Sequence, residues 1–260
     1  MEASMAPIGL FTGQSALVTG SASNIGRAIA EALAAEGAKV LLADVDAERN
    51  AATLAAITAA GGKAGAIATD LSTPDGWRDL LDRIGNTPLD MFVHSACPPR
   101  KEVDDAATVS EATWDAFQNV NVRSGYFLGR EIASTMQARG TKGRLLFITS
   151  LHAETPRNLP HYSAAKAGQT MVVRELARHF GPAGIRVNAI APGAVPGGGF
   201  NAAAYDFSGK IALGRLGTAA DLAGPALALL SDRFAGYVTG TTLVVDGGID
   251  LFNWIKPPWG

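Results

Sequence analysis

Short apolar runs alternate with stretches of helical period along most of the chain. Ser15-Ala-Leu-Val-Thr19 and Lys39-Val-Leu-Leu-Ala-Asp44 are strand-length, and further candidates are Ala66–Thr69, Leu89–His94, Arg144–Thr149, Arg186–Ala191 and Thr242–Val245. Most are rich in Val, Ile, Leu or Phe without alternating, the pattern of strands covered on both faces. Between the first two, Ile25, Ile29 and Leu33 recur every four residues with Ala28 and Ala32 beside them, which predicts a helix ended by Gly37. Ala47–Ala60, Trp77–Ile84, Glu111–Gln137, Tyr162–Phe180 and Ala219–Leu230 predict the others. Strand and helix in turn imply right-handed crossovers, hence an α/β fold with a single doubly wound parallel sheet of Rossmann type and helices on both faces. No repeat, low-complexity linker or charge block divides the chain, so residues 1–260 are expected to form one domain.

Composition removes several classes of partner. Lys and Arg number 22 against 24 Asp and Glu, a net charge of −2 that offers nucleic acid no basic face and a membrane no polybasic anchor. No apolar run reaches the length of a membrane span. Met1–Phe11 carries Glu2 and lacks the basic start and apolar core of a secretory signal, so a cytoplasmic location is expected. A lone cysteine, Cys97, excludes an internal disulfide, a thiol redox pair and a Cys-rich zinc site, and no metal site is read.

Chemistry begins where the first strand runs through Thr19-Gly-Ser-Ala-Ser-Asn-Ile-Gly26 into the first helix. Gly20 permits a tight turn, Gly26 a close approach, and the helix start offers N–H groups and a positive dipole end to a pyrophosphate. The middle glycine of G-x-G-x-x-G is missing, and Asn24, which tolerates left-handed angles, precedes Ile25. Asp44 ends the second strand, where a carboxylate accepts from both ribose hydroxyls and repels a 2′-phosphate, favouring NAD over NADP. Its alternative is to cap the next helix, a role for which Asp46 competes. The densest cluster is Ser150 with Tyr162-Ser-Ala-Ala-Lys166. Ser150 lies at the carboxyl edge of the sheet, and Tyr162 and Lys166 share a helix face, so the ammonium favours a phenolate that can move protons.

These motifs together resemble the short-chain dehydrogenase/reductase family, over nearly the whole chain. The matching residues are Thr19-Gly20 with Gly26, Asp44, Asp70-Leu71, Asn121, Ser150, Tyr162, Lys166, Arg186-Val-Asn188, Pro192-Gly193 and Asp246-Gly-Gly248. The resemblance implies that Ser23, Asn24 and Ile25 join the glycines at the cofactor, Asp70 meets the adenine amine with Leu71 near the ring, and Pro192-Gly193 borders the nicotinamide. It implies Tyr162 as acid/base and also a cofactor-binding residue, Ser150 as the group orienting the substrate oxygen, Lys166 on the nicotinamide ribose, and Asn121 holding a proton-relaying water. It also implies a homotetramer built through the helices Glu111–Gln137 and Tyr162–Phe180. Two departures stand out: His94-Ser-Ala-Cys97 replaces Asn-Ala-Gly, and no threonine follows Pro192-Gly193. Cys97 is expected to be a small buried hydrophobe.

For substrate, Ser150-Leu-His-Ala-Glu154 is similar to glucose-dehydrogenase-like members, so His152, with Glu154, Arg157 and His161, is a candidate for sugar hydroxyls. Arg100 and Arg157 are candidates for an anionic group, and surface solvation is the alternative for both. The glycines Gly197–Gly199 suit a hinged lid, and the aromatic tail Leu251–Gly260 is expected to cap an active site within an oligomer. The expected activity is hydride transfer between a nicotinamide cofactor and a sugar, polyol or sugar acid. The alternatives are a 3-oxoacyl or general ketone reductase and, from another class, a catalytically silent NAD-binding sensor.

Overall fold

A computed structural model describes residues 8–99, 106–197, 200, 203, 206–207 and 209–251. Seven parallel strands form one sheet in the order β3-β2-β1-β4-β5-β6-β7. They are β1 (Ser15–Thr19), β2 (Lys39–Asp44), β3 (Lys63–Ala68), β4 (Met91–His94), β5 (Arg144–Ile148), β6 (Arg186–Pro192) and β7 (Thr242–Val245). Their side chains feed two cores, one on each face. Ala16, Val18, Met91, Val93, Leu146 and Ile148 enter one; Leu17, Phe92, Leu145 and Phe147 enter the other. In β1, β4, β5 and β6 both parities are buried, which is why these strands read as continuous apolar runs.

On the first face lie α1 (Asn24–Ala35), α2 (Ala47–Ala59) and α7 (Ala219–Leu230), contributing Ile29, Leu33, Ile57, Leu222 and Leu229. The second face is covered by α3 (Gly76–Ile84), α5 (Ser124–Ala138) and α6 (Pro160–Phe180), contributing Leu80, Leu128, Ile132, Val173, Leu176 and Phe180. The short α8 (Asp232–Ala235) closes the base, where Arg186 donates to Leu229 O at 2.8 Å and Asn188 to Val238 O at 2.8 Å.

One predicted helix is interrupted. Glu111–Gln137 divides into α4 (Glu111–Phe117), a π-helical turn over Gln118–Arg123, and α5. The extra residue per turn is accommodated because Asn121 donates to Phe117 O at 3.0 Å, and Ser124 Oγ donates to Asn119 O at 2.6 Å and to Val120 O at 3.0 Å. Helical π-turns frequently mark functional sites, and this one carries Asn121. The strand order reverses between β1 and β4, so their carboxyl ends open a crevice, the place where open α/β sheets bind ligands.

Candidate active site

The loop leaving β1 is shaped by what its glycines lack. Gly20 has φ +72°, and a Cβ there would lie 2.6 Å from the backbone N of Ala96 beyond β4; on Gly26 it would lie 2.0 Å from Gly20 O. Asn24 adopts φ 49°, as a residue tolerant of the left-handed region can. Ser23 is the N-cap of α1 but makes no side-chain capping bond, and the first turn holds no acidic residue. The open N–H groups of this helix start suit a pyrophosphate. Two buried side chains missed in the sequence support the loop. Ser21 Oγ donates to Asn50 Oδ1 at 2.8 Å, and Thr53 Oγ1 to Ser21 O at 3.1 Å. Polar positions on the sheet-facing side of the alanine-rich α2 were the available signal.

Asp46, not Asp44, caps α2, accepting from Arg49 N at 3.0 Å. The Asp44 carboxylate is clamped instead, accepting from Ala22 N and Asp46 N at 3.0 Å each. Each carboxylate oxygen has further lone pairs, so ribose hydroxyls can still be accepted. The adjoining cleft is lined by Ala22, Ser23, Asn24, Arg27, Arg49 and Ala52. Arg27 pairs with Glu31 at 2.8 Å and Arg49 with Asp46 at 3.6 Å. Farther along the sheet edge, Asp70 Oδ1 accepts from Ser72 N and Oγ at 2.9 and 2.7 Å, and Leu71 is buried. Pro192 ends β6, and a Cβ on Gly193 would meet Asp246 Cα at 2.6 Å. These glycine cradles, the uncapped helix start and the clamped carboxylate fit a dinucleotide.

The catalytic candidates share a second structural principle: polar groups held in the core. Ser150, Tyr162, Lys166 and Asn121 are all buried. Ser150 Oγ accepts from His152 N at 3.1 Å in the 3₁₀ turn Leu151–Ala153, so its own proton points elsewhere. On α6 the Lys166 ammonium lies 5.7 Å from the Tyr162 ring centroid and donates to Ile148 O at 2.8 Å and Gln169 Oε1 at 3.0 Å. Asn121 uses its amide on Phe117, and its buried Oδ1 has no hydrogen-bond partner among the described residues, an acceptor suited to an ordered water.

His94 braces the two regions. Fully buried at the end of β4, its ring lies 2.9 Å from Thr19 Oγ1 through Nδ1 and 2.9 Å from Val120 O through Nε2. The carbonyl can only accept, so Nε2 carries the proton and Thr19 donates to Nδ1. Burial, reinforced by the charge on Lys166, lowers its pKa to about 4, and the ring is neutral. The departure from Asn-Ala-Gly thus places a spacer between the phosphate loop and the π-turn. Gly125 leaves room for it, since a Cβ there would lie 3.0 Å from the imidazole.

The substrate side divides the candidates. His152 stays at the site, its ring centroid 6.2 Å from that of Tyr162 and its Nδ1 2.9 Å from Thr155 O. Arg157 stacks its guanidinium over Phe200 at 5.1 Å. Gly197 approaches the phosphate loop, with Asn24 Nδ2 2.6 Å from where its Cβ would lie. His161 lies on α6 rather than in a loop, fully buried and edge-on to Phe117 at 4.6 Å. Cys97 is exposed rather than buried: it lies past the carboxyl end of β4, which ends at His94. Arg100 and residues 252–260 of the tail lie outside the described residues. Among the described residues no helix is long and apolar enough to cross a membrane, and no His, Cys, Asp or Glu cluster could hold a metal ion.

Comparison with known proteins agrees with this geometry. A family model described as enoyl-(acyl carrier protein) reductase matches residues 20–250. The chain is 35% identical to glucose 1-dehydrogenase 2 of Bacillus subtilis, covering 93% of this chain and 96% of the relative. It is 32% identical to 2-dehydro-3-deoxy-D-gluconate 5-dehydrogenase of Escherichia coli, over 91% and 95% of the two chains. A crystal structure described as a putative 2-deoxy-D-gluconate 3-dehydrogenase from Agrobacterium tumefaciens, with bound NADP, superposes with TM-score 0.85 at 34% identity, covering 93% and 98%. The chain is therefore an oxidoreductase acting on CH–OH groups, and it belongs to the short-chain dehydrogenase/reductase family.

Proposed function

We propose that the enzyme acts on a hydroxyl of a sugar, polyol or sugar acid, using NAD. The observation that carries the chemistry is a buried lysine ammonium 5.7 Å from the Tyr162 ring, together with a buried serine, Ser150, whose oxygen accepts from a backbone N–H just past the end of β5. Ser150 donates to the substrate oxygen and holds it in place. Tyr162 takes the hydroxyl proton during oxidation and returns one during reduction, its phenolate favoured by Lys166. Asn121 supplies, through Oδ1, the acceptor for a water that connects this proton to solvent. When bound, the nicotinamide exchanges a hydride with the substrate carbon. Gly20, Ser23, Asn24, Ile25 and Gly26 would hold its pyrophosphate, Asp44 the adenosine ribose, Asp70 and Leu71 the adenine, Lys166 the other ribose, and Pro192-Gly193 the nicotinamide.

The sugar class is supported by the activities for which the relatives are named and by the His152 ring standing 6.2 Å, centroid to centroid, from that of Tyr162. NAD is supported by the clamped Asp44 carboxylate. NADP is the second reading, since the similar Agrobacterium structure holds it and Arg27 and Arg49 line the neighbouring cleft. The reading includes a one-domain cytoplasmic protein, assembled as a homotetramer through α4–α5 and α6, whose tail caps an active site. NADH formation from NAD with pooled aldoses, polyols and sugar acids, with Tyr162→Phe as the blank, tests it. A signal from one pool, absent in the variant, supports the enzyme and its substrate class. Silence from every pool with NAD binding intact sinks the sugar reading, and NADPH formation in place of NADH sinks the cofactor reading.

A further inference from the structure

The inner face of α6 stays polar for one position longer than the acid/base pair requires. Tyr162, Lys166 and Gln169 recur at helical spacing on the buried side, followed by Val173, Leu176 and Phe180 in the apolar core. Gln169 is fully buried, and its Oε1 lies 3.0 Å from Lys166 Nζ. An ammonium can only donate, so the carboxamide must turn its oxygen toward Lys166 and its amide nitrogen away. That nitrogen is buried with no hydrogen-bond partner among the described residues. A buried carboxamide left half-satisfied is unfavourable, and methionine or leucine would fill the same space without that cost. What Gln169 supplies in return is its contact with the charge.

We propose that Gln169 is a positioning residue for Lys166, holding its ammonium charged and aimed so that Tyr162 releases its proton in the working pH range. Side chains on a helix lean toward its N-terminus, so Gln169 reaches back to Lys166 and Lys166 reaches back toward Tyr162. The oxygen of Gln169 and the carbonyl of Ile148 together replace the water that a buried ammonium has lost. Without the carboxamide, Lys166 holds its proton less tightly and its help to the Tyr162 phenolate falls. The other titratable groups facing this pair are His94 from β4, kept neutral, His152 from the 3₁₀ turn, and His161 on α6, which packs on Phe117. Each is present in wild type and variant alike.

The proposal rests on Tyr162 being the acid/base, so its test measures Tyr162 directly and needs no substrate. The chain has four tyrosines. The alkaline rise in phenolate absorbance of a protein, minus that of its Tyr162→Phe partner, isolates one of them. Wild type, Gln169→Met and Gln169→Leu are titrated, each with and without Tyr162→Phe, while circular dichroism follows folding. Both Gln169 variants are expected to raise the Tyr162 midpoint by about one pH unit, a tenfold change in proton affinity. Two variants of different shape guard against one failing to fold. A wild-type midpoint below the ordinary value of about 10, unmoved or lowered in the folded variants, overturns the role of Gln169. A wild-type midpoint at the ordinary value overturns the acid/base reading itself.

Discussion

The phosphate loop and the catalytic floor lie at the same sheet edge and are built on opposite principles. At the loop, binding depends on atoms that are absent: no Cβ on Gly20 or Gly26, no side-chain cap on α1. At the floor it depends on polar atoms kept inside: Ser150, Tyr162, Lys166, Asn121, His94 and Gln169, every one buried. An added atom at the loop meets backbone, which cannot move aside without moving a strand or helix. A changed atom at the floor alters a charge or a hydrogen bond, so its effect is graded and follows pH.

The largest effect is expected on the floor. Tyr162→Phe removes the group that moves the proton and leaves the ring packing against Phe117 intact. Turnover should fall by roughly 10²–10⁴-fold with cofactor affinity changed far less, checked by steady-state rates beside a fluorescence titration of NADH binding. A comparable loss of binding would mean that the two regions are not separable. Gly26→Ala is the converse. Its Cβ would sit 2.0 Å from Gly20 O, so cofactor affinity should fall by about a hundredfold, or ~2.7 kcal/mol. Ser23→Ala, a change in the same loop, should leave stability nearly unchanged, because the serine makes no capping bond. If Gly26→Ala left NADH affinity unchanged, or Ser23→Ala lowered the urea midpoint as a lost cap would, shape would not be the rule at the loop.

His94 tests the joint between the regions. Its pKa is lowered from 6.5 to about 4, so the folded chain refuses a proton that the unfolded chain accepts. Above pH 6.5 both states are neutral and the stability is complete. As pH falls from there to about 4 it is progressively lost, amounting to roughly 3 kcal/mol at the lower end. His94→Asn cannot titrate, so the difference between its urea midpoints near pH 7 and near pH 5 should be smaller than in wild type. An equal difference would show that His94 ionises freely in the folded chain.

The two regions were unequally legible in the sequence. Apolar runs gave away the inner strands, because strands buried on both faces have no solvent side to disguise them; the edge strand β3, which is not buried, starts three residues before the expected Ala66–Thr69. The loop was legible for the same kind of reason: glycines and a strand-ending aspartate leave a local signature. The floor was legible only where motif spacing named it. The π-turn was read as continuous helix, since one inserted residue changes hydrogen bonding at Phe117 and Asn121 without breaking the apolar pattern. His94 was visible as a departure, but its partners Thr19 and Val120 are 75 and 26 residues away. Gln169, seven residues after Tyr162 on a face that is otherwise apolar beyond it, was a signal available to helical periodicity.

Asp44 gives the smallest effect and the sharpest test, because it is a side chain working at the loop. Its oxygens are clamped by Ala22 N and Asp46 N, so the carboxylate cannot rotate away from a ligand. Asn at this position keeps one acceptor oxygen but turns an NH₂ toward one of two backbone N–H donors, so one clamp opens. The charge that repels a 2′-phosphate is lost at the same step, with Arg27 and Arg49 lining the cleft beside it. Asp44→Asn should therefore weaken NAD and improve NADP, moving the ratio of their affinities by about tenfold, or ~1.4 kcal/mol. Competitive titration of the two cofactors measures that ratio. The shift should shrink as salt is raised, since Asp44 is only half-buried and its repulsion of the phosphate is screened, whereas the defect in Gly26→Ala should not respond to salt. Salt sensitivity in both variants would erase the distinction between a region governed by shape and one governed by charge.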